Sequence, residues 1–90
     1  MEPAVQDVPD SQRYEIRDGG QVLGHAAYRR SEGQVTFTHT VVEAEGAGIG
    51  SRLVRAALDD ARARGERVVA QCSFVRGWID RHPDYADLVA

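Results

Sequence analysis

The pattern of apolar and polar positions predicts a strand followed by a helix in the middle of the chain. Apolar and polar residues alternate over 35–42, which indicates a strand. From Ile49 onward apolar residues recur at intervals of three, four and seven, which indicates a helix that ends before Gly65. The residues predicted to share one face of the strand are Val35, Phe37, His39 and Val41.

Shorter segments of the same kind predict the rest of a single small domain. The further predicted elements are strands at 13–17, 21–30 and 67–72, a hairpin turn at 18–20, a helix at 74–81 with Ser73 as its N-cap, and a tail at 84–89. Residues 1–12 show no periodicity, so we expect a flexible leader and one domain over 13–90. The six residues expected to bring the sheet into the core are Tyr14, Ile16, Val22, Leu23, Val35 and Phe37.

These elements predict an α+β fold. We expect a mostly antiparallel sheet of about four strands, a long helix after the glycine-rich turn and a short C-terminal helix. The strand after the long helix should return parallel to the strand before it, because a helix carries the chain back across the sheet.

Size and charge narrow the class of protein. A chain of 90 residues can build only one core, and a net charge of −3 argues against a nucleic-acid or anionic-membrane surface. No stretch approaches 18 apolar residues, so a cytoplasmic location is the default expectation. The single cysteine, Cys72, fits a reducing compartment. No metal site is predicted, and the oligomeric state stays open.

The glycine-rich turn between the strand and the helix favours an anion. Gly46, Gly48 and Gly50 let the backbone turn tightly, and the first turn of the helix presents unpaired N–H groups at the positive end of its dipole. A diphosphate is the natural candidate. The chain has no lysine, which excludes a P-loop, and the two-residue spacing of the glycines fits the dinucleotide fingerprint poorly.

The turn resembles the acetyl-CoA signature of the GNAT superfamily of N-acetyltransferases, (Arg/Gln)-x-x-Gly-x-(Gly/Ala). Gly48 and Gly50 match its glycines, whereas Glu45 stands where the superfamily has Arg or Gln. The segments FTHTVV, EGAGIGSRLVRAALDDAR, VVAQCSFV and RHPDYADLV also resemble the small single-domain GNAT-like proteins, which lack the two helices between their first two strands. The resemblance implies acetyl-CoA or coenzyme A as cofactor and an amine as acyl acceptor.

The same resemblance implies where the cofactor binds. Its pantetheine arm would enter a splay between the strands on either side of the long helix. The residues expected to bind the cofactor are Val41, Val42, Glu45, Gly46, Ala47, Gly48, Ile49, Gly50 and Ser51. The backbone of Val41 and Val42 would pair with the pantetheine amides.

His39 and Cys72 form the candidate catalytic pair. They match the pair regarded as the active site of the small family, and a thiol near an imidazole can act as nucleophile or base. The helix after Cys72 would favour its thiolate form. Two routes remain open: direct transfer, with His39 or the Cys72 thiolate as base, and transfer through acetylated Cys72.

Structural roles compete with each of these assignments. Cys72 at a strand end is often a small buried hydrophobe, and His39 on an apolar face is often a half-buried histidine. His25 and His82 suggest a strand residue and a helix-end residue. Trp78 and Tyr85 suggest packing groups, with a general-acid role for Tyr85 as the alternative.

Two other classes of function also remain. The domain could bind CoA or acyl-CoA without turnover, since so small a chain has little surface for an acceptor pocket. It could also be an interaction protein that has kept the fold and lost the ligand. The acceptor itself stays open.

Overall fold

The computed structural model describes residues 3–43 and 48–90, and these residues form one five-stranded sheet with helices packed on one of its faces. The strands are β1 (Ala4–Val8), β2 (Arg13–Asp18), β3 (Gln21–Ser31), β4 (Gln34–Val42) and β5 (Arg67–Ala70). The helices are α1 (Ile49–Ala63) and α2 (Ser73–Asp80), with short 3₁₀ helices at Pro9–Ser11 and Pro83–Leu88.

The strand order follows the chain, from β1 at one edge to β5 at the other. The first four strands are antiparallel neighbours, and β5 runs parallel to β4 after the crossover through α1. The predicted α+β class and the mostly antiparallel sheet are therefore confirmed. The sheet has one strand more than the four expected.

The additional strand lies in the segment predicted to be a flexible leader, and that prediction is wrong. β1 pairs with β2 over its whole length, from Ala4 opposite Arg17 to Val8 opposite Arg13. Asp7 anchors this edge strand, because its carboxylate accepts a hydrogen bond from Arg30 at 3.1 Å. A five-residue segment gains its stability from such partners rather than from its own pattern.

The C-terminal segment is also more ordered than the predicted tail. Pro83–Leu88 forms a 3₁₀ helix that buries Tyr85 and Leu88. Val89 then makes a parallel bridge to Val68. The chain therefore closes against the outer edge of β5.

The core lies between the sheet and α1, whose apolar stripe faces the strands. The buried residues of this stripe are Ile49, Leu53, Val54, Ala57, Leu58 and Ala61. Four of the six predicted sheet residues are buried, and these are Tyr14, Ile16, Val35 and Phe37. Val22 and Leu23 are only half-buried, because the pairing of β2 with β3 shifts between Ile16 and Arg17 and leaves Leu23 as an extra residue.

A second irregularity changes which residues of β4 face the core. Ala27 of β3 pairs with His39 and the next residue, Tyr28, pairs with Phe37, so Thr38 is an extra residue in β4. We call this the Thr38 bulge. Such a bulge reverses the alternation of side chains along the rest of the strand. Beyond it, the even-numbered residues of β4 lie on the helix-covered face.

Candidate functional site

β4 and β5 diverge after four paired positions. Their pairing ends at Phe37 opposite Ala70, and the N–H groups of Gln71 and Cys72 both donate to the Phe37 carbonyl at 3.1 Å. The chain then turns into α2, whereas β4 continues to Val42. We call the region between residues 38–42 and the start of α2, where the two strands no longer pair, the cleft. A divergence of these two strands is what the resemblance implies.

The N-terminus of α1 lies at the end of β4. Gly48, the N-cap, adopts a left-handed conformation with φ 68°, which glycine reaches without strain. No side chain of residues 3–43 or 48–90 caps the helix, and its first backbone bond runs from the Arg52 N–H to the Gly48 carbonyl. The N–H groups of residues 49–51 therefore have no acceptor within the helix, and its first turn carries no acidic residue. This geometry suits an anion.

Three residues of the predicted cofactor site, Glu45, Gly46 and Ala47, lie outside the described residues. The side chain of Ser51 has a structural partner, because its Oγ accepts a hydrogen bond from Trp78 Nε1 at 2.9 Å. Ser51 therefore joins the first turn of α1 to α2. Its backbone N–H still belongs to the first turn of α1.

Trp78 and Tyr85 pack as predicted. Both are buried, and their rings meet edge to face with centroids 5.0 Å apart. The Tyr85 hydroxyl donates to Asp59 Oδ1 at 2.7 Å, and this hydrogen bond raises the pKa of Tyr85. His82 stacks on Trp78 at 3.8 Å at the C-terminal end of α2. These contacts fix α2 against α1.

Cys72 lies on the helix-covered side of the cleft. It is 7% exposed, and its Sγ is 3.3 Å from Oγ1 of Thr40. Cys72 is also the N-cap of α2, in place of the predicted Ser73, which is the first residue of the helix. Its thiol is therefore both a core group and a lining group of the cleft.

His39 lies on the opposite side of the sheet. Because of the Thr38 bulge, it does not share a face with Val35 and Phe37, and that prediction is wrong. His39 is exposed, and its ring lies 5.8 Å from that of His25 on the face that the helices leave uncovered. Cys72 and His39 thus lie at the cleft on opposite faces of the sheet. The fold does not bring them together on one face.

The uncovered face has a charged group at its centre, next to the histidines. Glu15 is 3% exposed and accepts hydrogen bonds from Arg13 and Arg17, and the Arg17 bond holds the pKa of this carboxyl below its usual range. Burial, followed by the nearby Arg13 guanidinium, lowers the pKa of His25. The neutral form of the His25 imidazole is therefore favoured, and its ring is the one that contacts His39.

Two residues of the cleft, Thr40 and Phe74, were not predicted from the sequence. Thr40 faces Cys72 only because of the bulge, which the alternating pattern conceals. Phe74 is 40% exposed at the second position of α2, and a methyl group on Gly50 would lie 2.5 Å from its Cζ. A large aromatic two residues after the candidate cysteine was the available signal.

The family model for GCN5-related N-acetyl-transferases matches residues 13–88. The chain belongs to the GCN5-related N-acetyltransferase family. The fold of this family member is similar to the NMR solution structure of a GCN5-like protein from Staphylococcus aureus, with a TM-score of 0.75. That likeness covers 97% of this chain and 87% of the other at 23% sequence identity. No curated protein matches the chain in sequence.

Two further findings on the described part of this GCN5-related chain concern metal binding and membrane-spanning helices. Within residues 3–43 and 48–90, no three His, Cys, Asp or Glu side chains are placed to hold a metal ion. Neither α1 nor α2 in that part of the chain is long and apolar enough to cross a membrane.

Proposed function

We propose that the protein is an acetyl-CoA-dependent N-acetyltransferase that transfers an acetyl group to an amine. The observation that carries the proposal is the divergence of β4 from β5 beside the N-terminus of α1, where the first-turn N–H groups have no acceptor within the helix. A strand edge and a helix N-terminus at one cleft offer N–H groups to an extended ligand with a diphosphate. CoA is such a ligand.

The described residues fit CoA at both of its polar parts. The N–H groups of Ile49, Gly50 and Ser51 would hold the diphosphate, with left-handed Gly48 leading into the turn. Val41 and Val42 pair with β3 along one edge of β4, and their other edge faces the cleft beyond the end of β5. That edge would pair with the pantetheine amides, as β-strand edges do with extended ligands.

Acetyl-CoA would supply the thioester: a bond forms between the amine nitrogen and the acetyl carbon, the C–S bond breaks, and CoA would leave as a thiolate that takes up a proton to become the free thiol. His39, exposed on the uncovered face, would accept the proton that the amine loses. Backbone N–H groups of β4 would stabilise the negative charge that develops on the thioester oxygen. In this direct route Cys72 lines the cleft and is not acetylated, and its proximity to Thr40 Oγ1 keeps the thiol hydrogen-bonded.

The first test is a thermal shift with CoA, acetyl-CoA, NAD and ATP. A ligand that binds only the native state raises the melting temperature, so CoA and acetyl-CoA should do so while NAD and ATP do not. No shift with either CoA species would overturn the proposal.

The second test separates the two routes and a binding-only role. Product formation from acetyl-CoA is followed by mass spectrometry with a panel of amines, for the wild type, His39→Gln, Cys72→Ala and the control His82→Gln. We expect His39→Gln to lose about 10²–10⁴-fold in rate, the range for a general base, and the control to keep its rate. An acetylated protein mass that disappears in Cys72→Ala would favour the covalent route. CoA binding without any product would show a binding module.

A further inference from the structure

Phe74 extends across the end of the cleft next to the anion-binding turn. It lies at the second position of α2, yet its ring reaches the first turn of α1. A Cβ built on Gly50 would be 2.5 Å from Phe74 Cζ, 3.3 Å from its Cε1 and 3.3 Å from Cγ2 of Val42. The ring therefore occupies the corner where α1, α2 and the end of β4 meet.

The ring is the least buried wall of this corner. It is 40% exposed, one of three large apolar side chains in the described residues with exposure near 40%, so part of the ring already lies in water. The other walls are fixed. Cys72 is 7% exposed beside Thr40, and Trp78 is buried and hydrogen-bonded to Ser51. A ligand that runs from the α1 turn to Cys72 must pass this corner.

We propose that Phe74 is the gate of the cleft: its ring closes the cleft in the free protein and turns toward solvent when the pantetheine arm of CoA enters. This inference rests on the proposed function, because it concerns the same ligand. It adds a residue that sets the affinity for CoA without contacting the reacting atoms.

Truncating the side chain of a gate should raise the affinity for CoA, and the sign of this change can be measured. If the open form is a minor population of the free protein, the apparent dissociation constant is raised by the inverse of that population. Removing the ring removes this factor, so Phe74→Ala should bind CoA about tenfold more tightly. An aromatic wall that packed on bound CoA would give the opposite sign.

The experiment is calorimetric titration of CoA into the wild type, Phe74→Ala, Phe74→Trp and Val89→Ala. Val89 is the matched control, because it is also 40% exposed but contacts the start of β5 at Val68. We expect tighter binding for Phe74→Ala, weaker binding for Phe74→Trp and no change for the control. Phe74→Leu replaces the alanine variant if that protein does not fold. Equal or weaker binding by the truncated variant would overturn the gate.

A measurement without ligand separates the gate from the proposed function. The rate at which iodoacetamide alkylates Cys72 in the free protein should rise at least fivefold in Phe74→Ala and stay unchanged in Val89→Ala. An unchanged rate would overturn the gate even where CoA binds. A raised rate in proteins that bind no CoA would instead overturn the proposed function, and with it the role of the gate in CoA entry.

Discussion

Arg30 joins three parts of the fold through one guanidinium, so its loss is expected to destabilise the whole domain. Its Nε donates to Glu66 Oε2 at 2.8 Å, and its two terminal nitrogens donate to Asp7 at 3.1 Å and to the Tyr14 hydroxyl at 2.6 Å. The Arg30 side chain is 22% exposed, and the two carboxylates are only 10% and 12% exposed. The charges therefore lie largely out of water.

Replacing Arg30 with Met should lower the free energy of unfolding mainly because Glu66 loses its partner. Asp7 keeps a second partner, because Arg64 donates to it at 3.0 Å. The Glu66 carboxylate keeps none of its described hydrogen bonds, since its other oxygen, Oε1, is already buried without a partner among the described residues. Removing one member of a buried ion pair costs about 3–5 kcal/mol. A 90-residue domain has about 5–13 kcal/mol of stability in total, so the loss is a large part of it.

The assay is urea unfolding followed by circular dichroism, with Arg62→Met as the matched control. Arg62 pairs with Asp87 on the surface, where an ion pair contributes little to stability. The urea midpoint of Arg62→Met should therefore equal that of the wild type. The double variant Arg30→Met/Glu66→Gln should recover much of the stability, because it removes the buried charge as well. A loss below about 1 kcal/mol in the single variant, or no recovery in the double variant, would refute the reasoning.

Three further outcomes are expected. Leu53→Ala, at a fully buried position of α1, should lower the free energy of unfolding by about 2–5 kcal/mol in the same urea assay. Glu15→Gln should destabilise the protein most at neutral pH, because the Arg17 hydrogen bond lowers the pKa of the Glu15 carboxyl in the folded state. The stability that the ionised carboxyl contributes is present above its unfolded pKa of about 4.3 and is lost as pH falls through the folded pKa. The unfolding curves of the wild type and the variant should therefore converge in acid. Gly50→Ala should destabilise the wild type, where its methyl group meets Phe74, more than Phe74→Ala, where the contact with Val42 remains, and equal effects in the two backgrounds of this double-mutant cycle would contradict the contact with Phe74.

Much of the fold follows from local patterns. The limits of β4 and α1 agree with alternation and helical spacing to within two residues, since both elements bury one continuous stripe. β1 could not be predicted, because five residues at a sheet edge depend on partners such as Arg30 that are distant in sequence.

The candidate site was predictable in its parts and not in its arrangement. Gly48 and Cys72 follow from local chemistry and from family resemblance, and both lie at the cleft. The position of His39 depends on the extra residue Thr38, and pairing with β3 decides whether that residue is accommodated as a bulge. Phe74 acquires its place only through the packing of α2 on α1.

Because of the Thr38 bulge, the side chains at the end of β4 form two sets that face opposite sides of the sheet and can vary independently. Thr40 and Val42 face the helix-covered side, where Cys72 and Phe74 lie, whereas His39 and the following odd-numbered residue face the uncovered side. In the proposed enzyme, substitutions at even positions would alter how the acetyl donor is held, and those at odd positions would alter which acceptor approaches it. Donor recognition and acceptor choice would then diverge separately within one short strand, through changes of single residues and without remodelling the sheet.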